Sequence, residues 1–190
     1  MRNKVICINR ECGSGGDEIA FLLGQKLGIP VYEKAGYFMI FRTNGIVPFQ
    51  TVRPSIKYTG FQSASQRYHM PVNMLQSQNQ EIKRLALESD CIFLGRCADW
   101  VLRDEDVSLL RVFISAPTDA CIRRIMAQGE TAKIRARKTV RQTNLLRMDY
   151  YESQTGQRWC SQKNYDLFID SSETGIDGAV ARISAQYEIL

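Results

Sequence analysis

The side chains best suited to chemistry lie near the start of the chain, in the stretch Arg10-Glu11-Cys12-Gly13-Ser14-Gly15-Gly16-Asp17-Glu18. It follows the apolar run "VICIN" and leads into "IAFLLGQKLG", so a glycine-rich turn joins a strand to a helix. Gly13, Gly15 and Gly16 permit positive φ and close approach of backbone to a ligand. The helix behind them offers unpaired N–H groups and the positive end of its dipole, and together these make an anion site. The phosphate-loop motif, however, ends in Gly-Lys-Ser or Gly-Lys-Thr. Its lysine reaches the β- and γ-phosphates and its hydroxyl binds magnesium. Here Gly16 and Asp17 take those places. From the residues alone two readings stay open, a phosphate cradle without its lysine and a plain tight turn. Arg10, at the loop entrance, either supplies a cation from another direction or is a surface arginine.

A second concentration of charge lies further along. Residues 130–149 hold Lys133, Arg135, Arg137, Lys138, Arg141 and Arg147 against Glu130 and Asp149, a net +4 within a chain whose net charge is +5. Such a segment is either a lid that closes arginines over phosphates or a solvated helix face. The segment lacks the interleaved aromatics of a single-strand binder, which argues against nucleic acid as the partner. Trp100, Trp159, Tyr150 and Tyr151 read as packing residues. The six cysteines show no C-x-x-C spacing, and the single histidine, His69, is near none of them, which argues against a zinc site. Reduced thiols, no apolar run of membrane-spanning length and no signal-peptide pattern lead to the expectation of a cytoplasmic protein without a membrane partner.

These groups need a scaffold, and the apolar pattern supplies one. Strands are expected at 4–9, "IPVYE", 91–95, 109–115 and "DLFID"; helices at 16–28, 34–42, 72–87, after "FLG", behind Pro117, at 133–152 and at 176–188. Alternating strands and helices imply right-handed crossovers and a mostly parallel sheet covered on both faces. Continuous apolar strands agree with burial on both sides. In such sheets ligands bind beyond the carboxyl ends of the strands, so the loops near 10–16, 33–36, 95–99, 115–117 and 170–174 should share one edge. Residues 43–72 carry three prolines and no sustained period, as lids and binding loops do.

Several segments, taken in order, resemble the cytidylate kinase-like proteins, a branch of the P-loop nucleoside monophosphate kinases. They are "INRECGSGGDEIA", "LGIPVYEK", "IFLGRCADWVLRD", "RVFISAPTDACIRRIM", "NLLRMDYYESQTGQRW" and "NYDLFIDSSETGIDGAV". They leave out about residues 40–75. The resemblance implies one α/β domain over 1–190, a three-layer fold with a five-stranded parallel sheet and helices on both faces. It also implies an acceptor-side insert at about 43–72 and a basic lid at about 128–150. Gly13, Ser14, Gly15, Gly16 and Asp17 would bind nucleotide, and "GSGG" without lysine is a trait of this branch. Arg96 matches the arginine that contacts the acceptor monophosphate, the alternative being a structural arginine. Asp99 is a candidate for base or lid contacts, or a cap. Arg124 matches the arginine facing the triphosphate and Arg147 one in the lid; with Arg10 they are the candidates for stabilising transferred charge. The implied cosubstrate is ATP with Mg2+, and the implied partner a nucleotide or other small phosphorylated molecule.

The chain also departs from the family. Cys121 stands where arginine is usual, Asn144 where aspartate is common, Leu146 where a basic residue is common, and Asp17 where arginine or histidine is frequent. Phosphoryl transfer depends on positioning and charge stabilisation. The expected activity is therefore ATP-dependent transfer to a CMP-like monophosphate or another small phosphate acceptor. The alternative is a nucleotide-binding module that has lost turnover.

Overall fold

The computed structural model describes residues 2–35, 38–42, 72–129 and 132–190. Strand β1 (Lys4–Arg10) is buried over its five central residues. Its side chains alternate between the two faces of the sheet. Ile6 and Ile8 pack with Ile19, Ala20 and Leu23 of helix α1 (Gly16–Leu27) and with Ala179, Val180 and Ile183 of helix α6 (Ser171–Glu188). Val5 and Cys7 pack on the opposite side with Ile82, Leu85 and Ala86 of helix α2 (Val72–Glu88) and Ala98 of helix α3 (Ala98–Val101). Apolar burial on both faces is the main stabilising force.

The remaining strands are β2 (Val31–Ala35), β3 (Phe38–Arg42), β4 (Cys91–Leu94), β5 (Ser108–Ser115) and β6 (Leu167–Asp170), in the order β3-β2-β4-β1-β5-β6. Five of the six are parallel: β2 with β4, β4 with β1, β1 with β5 and β5 with β6. Helices α4 (Thr118–Ala127) and α5 (Lys133–Thr155) follow β5. The five parallel strands and three layers agree with the sequence reading. The helix expected over 34–42 does not form. Residues 34–35 close β2, and Phe38–Arg42 add a sixth, antiparallel strand with Ala35 opposite Phe38. The run "FMIF" is strand-favouring, and the free edge of β2 supplies its partner.

Helix ends follow their local signals. Gly28 closes α1 in the left-handed conformation at φ 67°, its N–H donating to Gly24 O. The last helix bends at Gly175, so its periodic part begins at Ile176. The insert expected at 43–72 lies outside the described residues except for Val72. No helix among the described residues is long and apolar enough to cross a membrane.

Candidate functional site

Parallel strands bring the loops after β1, β4, β5 and β6 to one edge, and the turn after β1 is the centre of that edge. Ser14 N–H and Ser14 Oγ both donate to Glu11 O, at 3.2 and 2.9 Å. Gly15 caps α1 in the left-handed conformation at φ 84°, and no side chain caps the helix. The first-turn N–H groups of α1 thus lack the side-chain acceptor that most helices use, which suits an anion. Gly13, at φ 79°, is also required by packing, since an added Cβ would lie 2.6 Å from Cys121 O.

Neighbouring elements hold this turn from several sides. Arg124 of α4 donates through Nη1 to Gly13 O at 2.6 Å. Helix α5 contributes three successive contacts from one face. Asn144 Oδ1 accepts from Cys12 N–H at 2.7 Å, Arg147 Nη1 donates to Arg10 O at 2.8 Å, and Tyr151 OH donates to Asp99 Oδ2 at 2.7 Å. Glu11 Oε2 accepts from Ala116 N–H at 3.1 Å, and burial raises its carboxyl pKa. Ser171 Oγ donates to Ser14 O. Arg10 Nε and Nη2 reach Asp17 Oδ1 at 2.8 and 2.7 Å.

The loop after β4 carries Arg96 and Cys97, both at positive φ (65° and 56°). This turn aims Arg96 toward helix α2. Its Nε donates to Gln78 Oε1 at 2.7 Å, and its guanidinium lies 4.5 Å from the centre of the Tyr150 ring. Arg96, Lys83 and Arg103 border a cavity of about 180 Å³ together with Asn79, Trp100 and Tyr150. Lys83 pairs with Glu105 at 2.7 Å, and Arg103 stacks on Trp100 at 4.0 Å. The cavity is therefore rich in cations, and arginines cover two aromatic faces.

Asp99 stands apart from that lining. It is 4% exposed and accepts from Asn9 Nδ2 at 3.3 Å and from Tyr151 OH. Burial raises its pKa, while the two donors pull it down. The structure thus brings Arg10, Arg124, Arg147 and Asp17 to the glycine turn, puts Arg96 on the adjoining loop, and buries Asp99 beneath both. Tyr151 and Trp159 pack in the core around Phe113, whereas Trp100 and Tyr150 also border the cavity.

Two departures from the family have physical counterparts here. Cys121 is buried under the turn, and burial pushes its thiol up to about 11. Asn144 gives its oxygen to a backbone N–H, so it fastens the turn directly. The sequence reading missed Gln78, Lys83, Arg103 and Glu11 as neighbours of the site. Gln78 alone had a visible signal, a polar side chain on the inward face shared by Leu75, Ile82 and Leu85. Lys133, Arg135, Arg137, Lys138 and Arg141 are exposed along the first half of α5.

A parallel sheet with a glycine turn after its first strand, arginines converging on that turn and a cationic cavity beside the next loop define the P-loop kinase fold. The profile of the cytidylate kinase-like family matches residues 5–173, and the chain belongs to that family. No curated protein matches the chain. Among solved structures, an uncharacterized protein from Eubacterium ventriosum superposes with a TM-score of 0.75 at 21% identity, over 98% of this chain and 99% of that one. The APS kinase of Mycobacterium tuberculosis, solved with AMPPNP and APS, gives 0.55 at 20% identity over 98% of each chain. Shikimate kinase from Bacteroides thetaiotaomicron gives 0.53 at 11% identity over 97% and 98%.

Proposed function

We propose that the chain is an ATP-dependent phosphotransferase acting on a nucleoside monophosphate, CMP-like, or on another small phosphate acceptor. The observation that carries this reading is the convergence of Arg10, Arg124 and Arg147 on the turn of Gly13, Ser14, Gly15 and Gly16. The turn would cradle the donor phosphates through backbone N–H groups, with Asp17 at its end. Magnesium would arrive on the nucleotide, as it does where protein ligands are few; the described residues hold no cluster of three His, Cys, Asp or Glu that fits a metal. The bond from the γ-phosphorus to the leaving ADP oxygen breaks as a bond to the acceptor oxygen forms. Arg10, Arg124 and Arg147 would stabilise the charge that spreads over the transferred group. Arg96, which lines the cationic cavity, would hold the acceptor phosphate. An acceptor that is already a phosphate needs no strong base, which accords with a buried Asp99. The first half of α5 would act as the lid of one domain spanning the chain. The structurally similar APS kinase was solved with AMPPNP and APS, which is compatible with an ATP-type donor on this fold.

A second reading, nucleotide binding without turnover, is favoured by one observation. Each of the three arginines at the turn is engaged inside the protein, Arg124 and Arg147 on carbonyls and Arg10 on Asp17. A phosphate-transfer screen separates the two. Purified protein with ATP and magnesium is offered CMP, dCMP, UMP, AMP and GMP, with Arg96→Ala as control. Transfer to one of them, lost in Arg96→Ala, is the expected result. Nucleotide binding with no transfer to any of them refutes the monophosphate reading and leaves transfer to another small phosphate acceptor or the binding module.

A further inference from the structure

We propose that Arg10 is the phosphate-binding cation of this turn, a glycine and a basic residue having exchanged places across positions 10 and 16. The proposal rests on the nucleotide-binding reading above and adds where the missing lysine's charge comes from. The motif Gly-x-x-x-x-Gly-Lys-Ser/Thr, laid with its second glycine on Gly15, puts its lysine at 16 and its first glycine at 10. This chain has the reverse, arginine at 10 and glycine at 16.

The two positions share one space. A Cβ built on Gly16 would lie 2.5 Å from Arg10 Cβ and 2.7 Å from Arg10 Cγ. Carbon atoms in contact sit about 3.5–4.0 Å apart. The turn therefore has room for a side chain from β1 or from α1, but not from both. Backbone conformation does not account for the glycine, because Gly16 is the first residue of α1 and is not among the glycines with positive φ. The Arg10 side chain does account for it.

The guanidinium is also in the right region for phosphate. Asp17 Oδ1 takes Nε and Nη2, at 2.8 and 2.7 Å, and so orients the fork. Nη1 points to the loop after β4, where a Cβ built on Gly95 would lie 2.8 Å from it. Arg10 therefore stands between the turn assigned to the donor phosphates and the loop that carries Arg96. A lysine rising from α1 is a point charge, whereas a planar guanidinium between two loops can span oxygens of two groups.

The test reads binding of a non-hydrolysable ATP analogue with magnesium by calorimetry on the full chain, together with thermal melting of each variant. Arg10→Gly is expected to weaken binding about 10- to 100-fold, the loss of a charge-assisted hydrogen bond. The triple variant Arg10→Gly, Gly16→Lys, Asp17→Ser restores the ordinary motif and should regain most of that affinity. Steric exclusion is tested without ligand. Glycine to alanine inside a helix ordinarily stabilises, yet Gly16→Ala should lower the melting temperature of the native chain and raise it in an Arg10→Gly background. Native affinity in Arg10→Gly overturns the proposal alone. So does a folded triple variant that binds no better than Arg10→Gly, or Gly16→Ala without loss of stability. Failure of the native chain to bind the analogue overturns the nucleotide reading itself, and this proposal with it.

Discussion

Replacing Tyr151 by phenylalanine removes one hydroxyl from a buried carboxylate, and its effect should depend on pH in a defined direction. Asp99 is 4% exposed, with Tyr151 OH at 2.7 Å and Asn9 Nδ2 at 3.3 Å as its side-chain donors. The shorter bond is the stronger of the two. A hydrogen bond to a charged group contributes about 1.5–3 kcal/mol, so Tyr151→Phe should cost about 2 kcal/mol at neutral pH. For a domain of this size that is a fall of about 4–8 °C in Tm. Burial has already raised the folded-state pKa of Asp99 above the ordinary aspartate value, and the tyrosine bond opposes that rise. A carboxyl with a raised folded pKa adds stability in its protonated form. That contribution is complete below the unfolded value and lost as pH climbs through the folded one. Tyr151→Phe lifts the folded pKa further, so the deficit is largest at neutral pH and narrows as pH falls toward 4. Urea unfolding followed by circular dichroism at pH 7.5 and pH 5, native against variant, measures both. A difference below about 0.5 kcal/mol at both pH values, the usual range for neutral surface changes, would refute the reasoning, as would a gap that widens in acid.

Two further outcomes follow from the same contacts. Asn144→Ala leaves Cys12 N–H without its 2.7 Å acceptor and should cost about 1–2 kcal/mol in urea unfolding, whereas Asn144→Asp keeps an oxygen there and should recover most of it. Cys160 is exposed while Cys7, Cys12, Cys91, Cys97 and Cys121 are buried; burial raises the pKa of each buried thiol. Iodoacetamide on the folded chain should therefore add one label by intact mass, and a second label would contradict the burial of the others.

Much of the scaffold was legible in the chain because its signals are local. The runs at 5–8 and 91–94 are apolar throughout and could be read as buried strands without neighbours. Gly28 marked the end of α1, and "GSGG" between strand and helix marked the turn. Residues 34–42 failed the same treatment, since a short apolar run with no clear period fits a helix or a strand. Its state was decided by the open edge of β2, a partner that local pattern does not contain. The site divides in the same way. Residue types pointed to Arg10, Arg96, Arg124 and Arg147, but their contacts join positions as far apart as Arg147 and Arg10, which are separated by 137 residues. Asn144 read as a lost charge until folding placed its oxygen on Cys12 N–H. Local pattern by itself determined the five parallel strands, the helices outside residues 34–42 and the glycine turn, because backbone preference and apolar period act over a few residues. Only the tertiary structure decided that Arg10 fills the space above Gly16, that Asp99 is buried, and that α5 grips the turn. Those outcomes depend on which surfaces meet when the sheet closes.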